Sequence, residues 1–202
     1  GDISGAMAWI VAACCHPNAK IKLPKIGINP TRSGAIEILK TMGANIKTEN
    51  HKIEDGEPIA DIIAESSELK ATEISGDSIP KAIDEIPLLS LAACFAEGTT
   101  IIRDAQELRV KESDRLHATV TELSKFGAQI KETTDGLIIN GTKSLSGTEC
   151  YSHGDHRIAM ALGIAGMLAS GSTTGSGADA SDISYPTFWQ TIERLCHRRT
   201  PL

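Results

Sequence analysis

Three stretches of this 202-residue chain hold ionisable groups at spacings that suit the binding of anions and the movement of protons. The first is Leu108-Arg109-Val110-Lys111-Glu112-Ser113-Asp114-Arg115-Leu116, where a strand-to-loop connection runs into a helical pattern. Ser113 is the expected N-cap, which aims backbone N–H groups and the positive helix end at the loop, an arrangement that attracts anions. Arg115 then falls in the first turn and reaches over the same opening as Lys111, giving a planar fork and a point charge for phosphate or carboxylate. The competing reading is an exposed set of i,i+3 and i,i+4 ion pairs, Glu112 with Arg115 among them, worth about 0.3–0.5 kcal/mol each. The second stretch, His153-Gly154-Asp155-His156-Arg157-Ile158-Ala159-Met160-Ala161, puts charge at the mouth of an apolar helix. Asp155 reads as its N-cap, and His156 and Arg157 face whatever occupies the positive end. The alternative for His156 is a satisfied structural histidine. The third is Ile83-Asp84-Glu85-Ile86-Pro87, in the same slot as Gly1-Asp2-Ile3-Ser4 and Gly154-Asp155-His156-Arg157, so an acid opens each of three buried helices. N-capping explains the recurrence and suffices for Asp2. For Asp84 the functional reading is a carboxylate that takes a proton from a bound hydroxyl.

The elements that must position these residues repeat. Ile38-Leu39-Lys40-Thr41-Met42-Gly43-Ala44-Asn45-Ile46-Lys47 and Leu123-Ser124-Lys125-Phe126-Gly127-Ala128-Gln129-Ile130-Lys131 both read as helix, glycine stop, strand. Apolar stripes at Ile36, Leu39 and Met42, and at Leu116, Val120 and Leu123, mark two amphipathic helices. A third follows Ser184-Tyr185-Pro186, with Thr187 and Gln190 at capping-box spacing and a stripe of Phe188, Ile192 and Leu195. Upstream of each lies a helix apolar nearly all round, at Ala6 to Cys15, Pro87 to Ala96 and Arg157 to Ala169, and such helices belong in an interior. Short alternating strands follow, such as Lys20-Ile21-Lys22-Leu23 and Thr99-Thr100-Ile101-Ile102-Arg103. The expected fold is α/β, with three helix-strand-helix-strand-strand units near 1–70, 71–141 and 142–202, the last abbreviated. Their three sheets surround a central cluster of buried helices. A doubly wound α/β sheet is the alternative.

Composition limits the rest. With 41% hydrophobic residues the chain can build a sizeable core, and a net charge of −6 with 3% aromatic residues argues against nucleic acid as a partner. The five cysteines show no C-x-x-C pair and no metal-ligand spacing, and read as reduced cytoplasmic thiols. No apolar run approaches the ~18 residues of a membrane span. The start, Gly1-Asp2-Ile3-Ser4 directly before an apolar run, reads as the middle of a longer protein.

The runs Asp84-Glu85-Ile86-Pro87, Ala96-Glu97-Gly98-Thr99-Thr100, Leu108 to Leu116 and Gly154 to Ala161, with Asn29-Pro30-Thr31-Arg32 and the opening Gly1-Asp2-Ile3-Ser4, closely resemble the C-terminal half of the 5-enolpyruvylshikimate-3-phosphate synthases. The resemblance covers essentially the whole chain and implies the inside-out α/β barrel of the enolpyruvyl transferases. It implies transfer of the enolpyruvyl group of phosphoenolpyruvate to the 5-hydroxyl of shikimate 3-phosphate, through a tetrahedral intermediate and with no metal or cofactor. By motif position, Lys111 and Asp84 face shikimate 3-phosphate, and Glu112, Arg115, His156 and Arg157 face phosphoenolpyruvate. Asp84 and Glu112 are the proton carriers. The family's first domain, with its own Lys, Arg and Ser ligands, has no counterpart here, so the chain holds half a site. The resemblance also implies a strand borrowed from the protein's extreme N-terminus, leaving an exposed edge in the first unit. Where many members carry a Lys three residues before the Pro, this sequence has Ile183, a departure from the family pattern that bears on one phosphoenolpyruvate contact. Two other functions compete: a non-catalytic anion-binding module, and enolpyruvyl transfer to a UDP-sugar.

Overall fold

The computed structural model describes residues 1–197. Three helices form its centre: α1 (Ile3–Cys15), α3 (Ile86–Phe95) and α5 (His156–Leu168), each in contact with the other two. Their apolar residues face inward on every side, with Met7, Ile10, Leu89, Leu91 and Ile164 all at 0% exposure. Each such side chain contributes about 1.5–3 kcal/mol by leaving water, which is why a helix with no polar face is stable here. Among the described residues no helix is long and apolar enough to cross a membrane.

Three sheets draw their strands from successive stretches of chain. In the first, β1 (Lys20–Gly27) and β2 (Asn45–Glu54) flank β3 (Glu57–Glu65), all antiparallel. The second has the order β4 (Glu73–Ile74), β5 (Thr99–Ile102), β7 (Leu137–Asn140), β6 (Gln129–Glu132), with β4 parallel to β5 and the others antiparallel. The third pairs only β8 (Glu149–Tyr151) and β9 (Thr174–Ser176), in parallel. The four-stranded sheet shows what the other two lack among the described residues. The first has no short parallel strand beside β1, and the third has no antiparallel pair beyond β9.

The amphipathic helices are α2 (Gly34–Thr41), α4 (Arg115–Lys125) and α6 (Phe188–His197). Ile36, Leu39 and Met42 are buried, as are Leu116 and Leu123, with Val120 half-buried. Gly43 (φ +90°) and Gly127 (φ +88°) follow α2 and α4 in the left-handed region that stops a helix. The stripe on α6 departs from expectation: Phe188 is buried and Ile192 half-buried, but Leu195 is 44% exposed. Between α6, α5 and the short third sheet lies a hollow of about 220 Å³ lined by Leu162, Met167, Trp189, Ile192, Cys150 and Cys196. Where α6 does seat on α5 the approach is close, since a Cβ at Gly163 would stand 2.7 Å from Phe188 Cε1.

Candidate active site

The N-termini of α1, α3 and α5 meet at one end of the helix cluster, where hydrogen bonds cross between all three. Ser4, in the first turn of α1, donates through Oγ to Glu85 Oε1 at 2.6 Å. Arg157, in the first turn of α5, donates to the same oxygen at 3.3 Å and pairs with Asp84 Oδ2 at 3.7 Å. Arg32, from the loop after β1, donates to Ser4 Oγ at 3.3 Å.

Arg115 is the centre of the charged cluster. It opens α4 and is 1% exposed, and its three guanidinium nitrogens are all bonded. Nε donates to Asp155 Oδ2 at 2.8 Å, Nη1 to Asp84 Oδ1 at 3.0 Å, and Nη2 to Glu112 Oε2 at 2.6 Å. Burial alone would weaken the Arg115 charge, but the bond to Asp155 and the charges of Asp155, Glu112 and Asp84 outweigh it and hold its pKa above the usual value. Asp155, fully buried, caps α5 by accepting from the Arg157 N–H at 2.8 Å. Burial pushes its carboxyl up, yet Arg115, the cap N–H and Ser113 more than offset this and leave it below the usual carboxylate range. The balance is the reverse at Glu85, where burial outweighs the Ser4 and Arg157 contacts and raises the pKa.

His156 is held toward its neutral form, by burial first and the Arg157 charge second. Its Nε2 accepts from Arg157 Nε at 3.1 Å. Its Nδ1 is buried with no hydrogen-bond partner among the described residues and lies 3.8 Å from Glu112 Oε1. A fully satisfied structural histidine would not leave that nitrogen open.

The structure thus brings together Asp84, Glu112, Arg115, His156 and Arg157; it corrects two local expectations, the cap at Ser113 and Lys111 beside Arg115, and goes against two alternative readings, capping by Asp84 and an exposed Glu112–Arg115 pair. The N-cap of α4 is Asp114, which accepts from the His117 N–H at 3.0 Å, while Ser113 turns to donate to Asp155 Oδ2 at 3.0 Å. Asp84 caps nothing, because the chain enters α3 through a 3-10 turn (Ile83–Glu85) with Pro87 in the first helical turn, and the freed carboxylate goes to Arg115. Glu112 with Arg115 is no exposed ion pair, since one partner is buried. Lys111 stands apart, paired with the exposed Glu107 and not bonded to the Arg115 cluster. Ile183 is 73% exposed and offers no cation.

Ser4, Arg32, Glu85 and Ser113 are the members of the cluster that the sequence did not reveal. Each acts across 28 to 81 residues of chain, and only the recurrence of an acid at the start of each buried helix hinted that these ends converge. Among the described residues no group of His, Cys, Asp and Glu is arranged to hold a metal ion.

Comparison with known proteins fits this geometry. A family model described as EPSP synthase (3-phosphoshikimate 1-carboxyvinyltransferase) matches residues 1–192. The 3-phosphoshikimate 1-carboxyvinyltransferase of Synechococcus sp. (strain JA-3-3Ab) is 53% identical over 195 residues, covering 96% of this chain and 44% of that protein. That of Roseiflexus sp. (strain RS-1) is 50% identical over 198 residues, covering 98% and 46%. A solved structure of EPSP synthase from Acinetobacter baumannii superposes with a TM-score of 0.92 at 45% identity, over 96% of this chain and 45% of that one. The chain spans about half the length of the curated relatives it matches. Sequence and fold together place it plainly: the chain belongs to the EPSP synthase (3-phosphoshikimate 1-carboxyvinyltransferase) family.

Proposed function

We propose that residues 1–202 are the C-terminal-type domain of a cytoplasmic EPSP synthase, built of units near 1–70, 71–141 and 142–202. The domain contributes half of a cleft in which the enolpyruvyl group of phosphoenolpyruvate passes to the 5-hydroxyl of shikimate 3-phosphate, with release of phosphate. The other half is an N-terminal domain with its own cationic ligands. The match to 44–46% of the relatives' length supports that division.

The observation that carries the reading is the two-tier arrangement of acids around Arg115 and Arg157. Glu85 and Asp155 are buried and hold the guanidinium groups in place. The side chains of Asp84 and Glu112 are 38% and 48% exposed and lie on the open side of the same cations. Inner acids can position, whereas outer acids can exchange protons with a ligand. Asp84 takes the proton of the attacking hydroxyl and Glu112 delivers one to the methylene carbon of phosphoenolpyruvate; as the C–O bond to phosphate then breaks, the methyl group so formed gives a proton back to Glu112 and the double bond is restored. Arg115 bonds both and so fixes their separation. Arg115, Arg157 and the open His156 nitrogen face the phosphate and carboxylate of phosphoenolpyruvate, stabilising charge in a site prepared before the reaction. Lys111, whose ion-pair partner among the described residues is the exposed Glu107, is available to swing to the second phosphate.

The test is a phosphate-release assay with both substrates, on the chain alone and with a separately supplied N-terminal half of a relative. The chain alone should be inactive and the complemented pair active. Asp84→Ala, Glu112→Ala and Arg115→Ala should each abolish the complemented rate while the fold is retained. Turnover by the chain alone would overturn the half-site argument, and unchanged rates in the variants would remove the assigned roles.

A further inference from the structure

Glu122 is a charged residue in a place where charge is costly. It lies on α4, 1% exposed and two turns beyond Arg115, on the face that packs against β8 and α5. Both of its oxygens are used. Oε2 accepts the Tyr151 backbone N–H at 2.9 Å, Oε1 accepts from His153 Nε2 at 2.9 Å, and Lys125 reaches both at 2.8 Å. Tyr151 ends β8, and His153 lies in the turn that leads to Asp155, His156 and Arg157. That turn is tight, with His153 at φ +56° and Gly154 at φ +70°, and a histidine in the left-handed region is strained unless its surroundings hold it there. The far end of the turn is held by the start of the same helix, where Arg115, with Ser113 just ahead of the cap, grips Asp155. Helix α4 therefore clamps one loop at two points, Asp155 at its first turn and Tyr151 with His153 at its third.

We propose that Glu122 is a positioning residue: by binding the Tyr151 N–H and the His153 ring it fixes the 151–155 turn, and with it the placement of Arg115, His156 and Arg157. Its value for function rests on the reading of that cluster as an anion site, while its effect on geometry does not. A glutamate kept only to neutralise Lys125 would not need two partners on another element.

The experiment uses the full 202-residue chain labelled with ¹⁵N, following the Arg115 Nε–H and His156 ring resonances, with inorganic phosphate titrated as the probe. Glu122→Ala should shift both sets of resonances and weaken phosphate binding roughly 3- to 30-fold. Glu122→Gln keeps an acceptor for the Tyr151 N–H and should restore most of both. Lys125→Ala, which removes only the partner on the same helix, should change neither. His153→Ala should reproduce the resonance shifts in part, and it decides the matter where Glu122→Ala does not fold. Parental resonances in Glu122→Ala or His153→Ala overturn the proposal, as do equal shifts in Lys125→Ala. Failure of the parent chain to bind phosphate would count against the anion reading, and the resonances would still judge the clamp.

Discussion

Replacing Asp155 by Asn changes one atom and should cost about 3 kcal/mol. The carboxylate is fully buried and accepts four hydrogen bonds: two from Arg115 at 2.8 and 3.3 Å, one from Ser113 at 3.0 Å and one from the Arg157 N–H at 2.8 Å. An amide keeps one acceptor oxygen, enough for the helix cap, and its NH₂ can turn to the Ser113 hydroxyl. That NH₂, standing in the place of Oδ2, then presents a donor to the Nε donor of Arg115, while Oδ1 still accepts from Nη2 without its charge. One charge-assisted bond is lost at roughly 1.5–3 kcal/mol and the other is weakened, and breaking a buried pair by removing one partner costs about 3–5 kcal/mol. Glu112 and Asp84 still hold Arg115, which places the loss near the lower figure. Domains of this kind are stable by about 5–15 kcal/mol, so the variant should fold, with a midpoint lowered by about 6–12 °C. Urea unfolding followed by circular dichroism measures it, and a cycle with Arg115→Met should return a coupling of at least about 2 kcal/mol. The difference should also depend on acid. Asp155 has its pKa held below the unfolded value of 3.8, so its contribution is complete above that pH and disappears as pH falls through the lower folded value. A cost under about 1 kcal/mol at neutral pH, or additive single effects, would refute the account of Arg115 as held from the inner side.

His156 has its pKa lowered from 6.5, so between that pH and its lower folded value the unfolded chain binds more protons and stability falls with falling pH; in His156→Gln this part of the acid limb should flatten in a pH series of urea midpoints. Gly163→Ala should cost about 1–3 kcal/mol, because the added methyl meets Phe188, and the loss should be read by thermal melts. Gly127→Ala should cost about 1 kcal/mol by the same measurement for a different reason, since nothing lies within 4 Å of a Cβ there and only the φ of +88° opposes it. Asp84→Asn should abolish turnover of the complemented pair, yet the variant chain should bind inorganic phosphate about fivefold more tightly in calorimetry, since the change removes a carboxylate that competes for Arg115 and Arg157. Weaker binding would show that Asp84 holds these cations in place, which is the role assigned to Asp155 and Glu85.

What could be read in the sequence, and what could not, divides along the range of the interactions involved. The buried helices were legible because ten or more consecutive residues carry one message, and Gly43 and Gly127 marked stops through a backbone requirement of their own. β4 and β8 were not, since two or three residues hold too little of a period to register, and their existence depends on pairing with β5 and β9. The cap of α4 shows the limit most clearly. Ser113 and Asp114 are adjacent and equally able to cap, so nothing local chooses between them. The choice is made by Asp155, 42 residues away, which takes the Ser113 hydroxyl and leaves the cap to Asp114. Asp84 shows the same rule in reverse: a carboxylate that local pattern assigns to a helix end is released by Pro87 and a 3-10 turn to meet Arg115. The cap of α4 is decided where one repeat touches another, and the candidate site is closed by further contacts of that kind, Ser4 with Glu85, Arg115 with Asp155, and Arg157 with Glu85 and Asp84. Every unit of the repeat can specify its own helices and turns, but the placement of charge in the site is decided only when three helix ends close on one another.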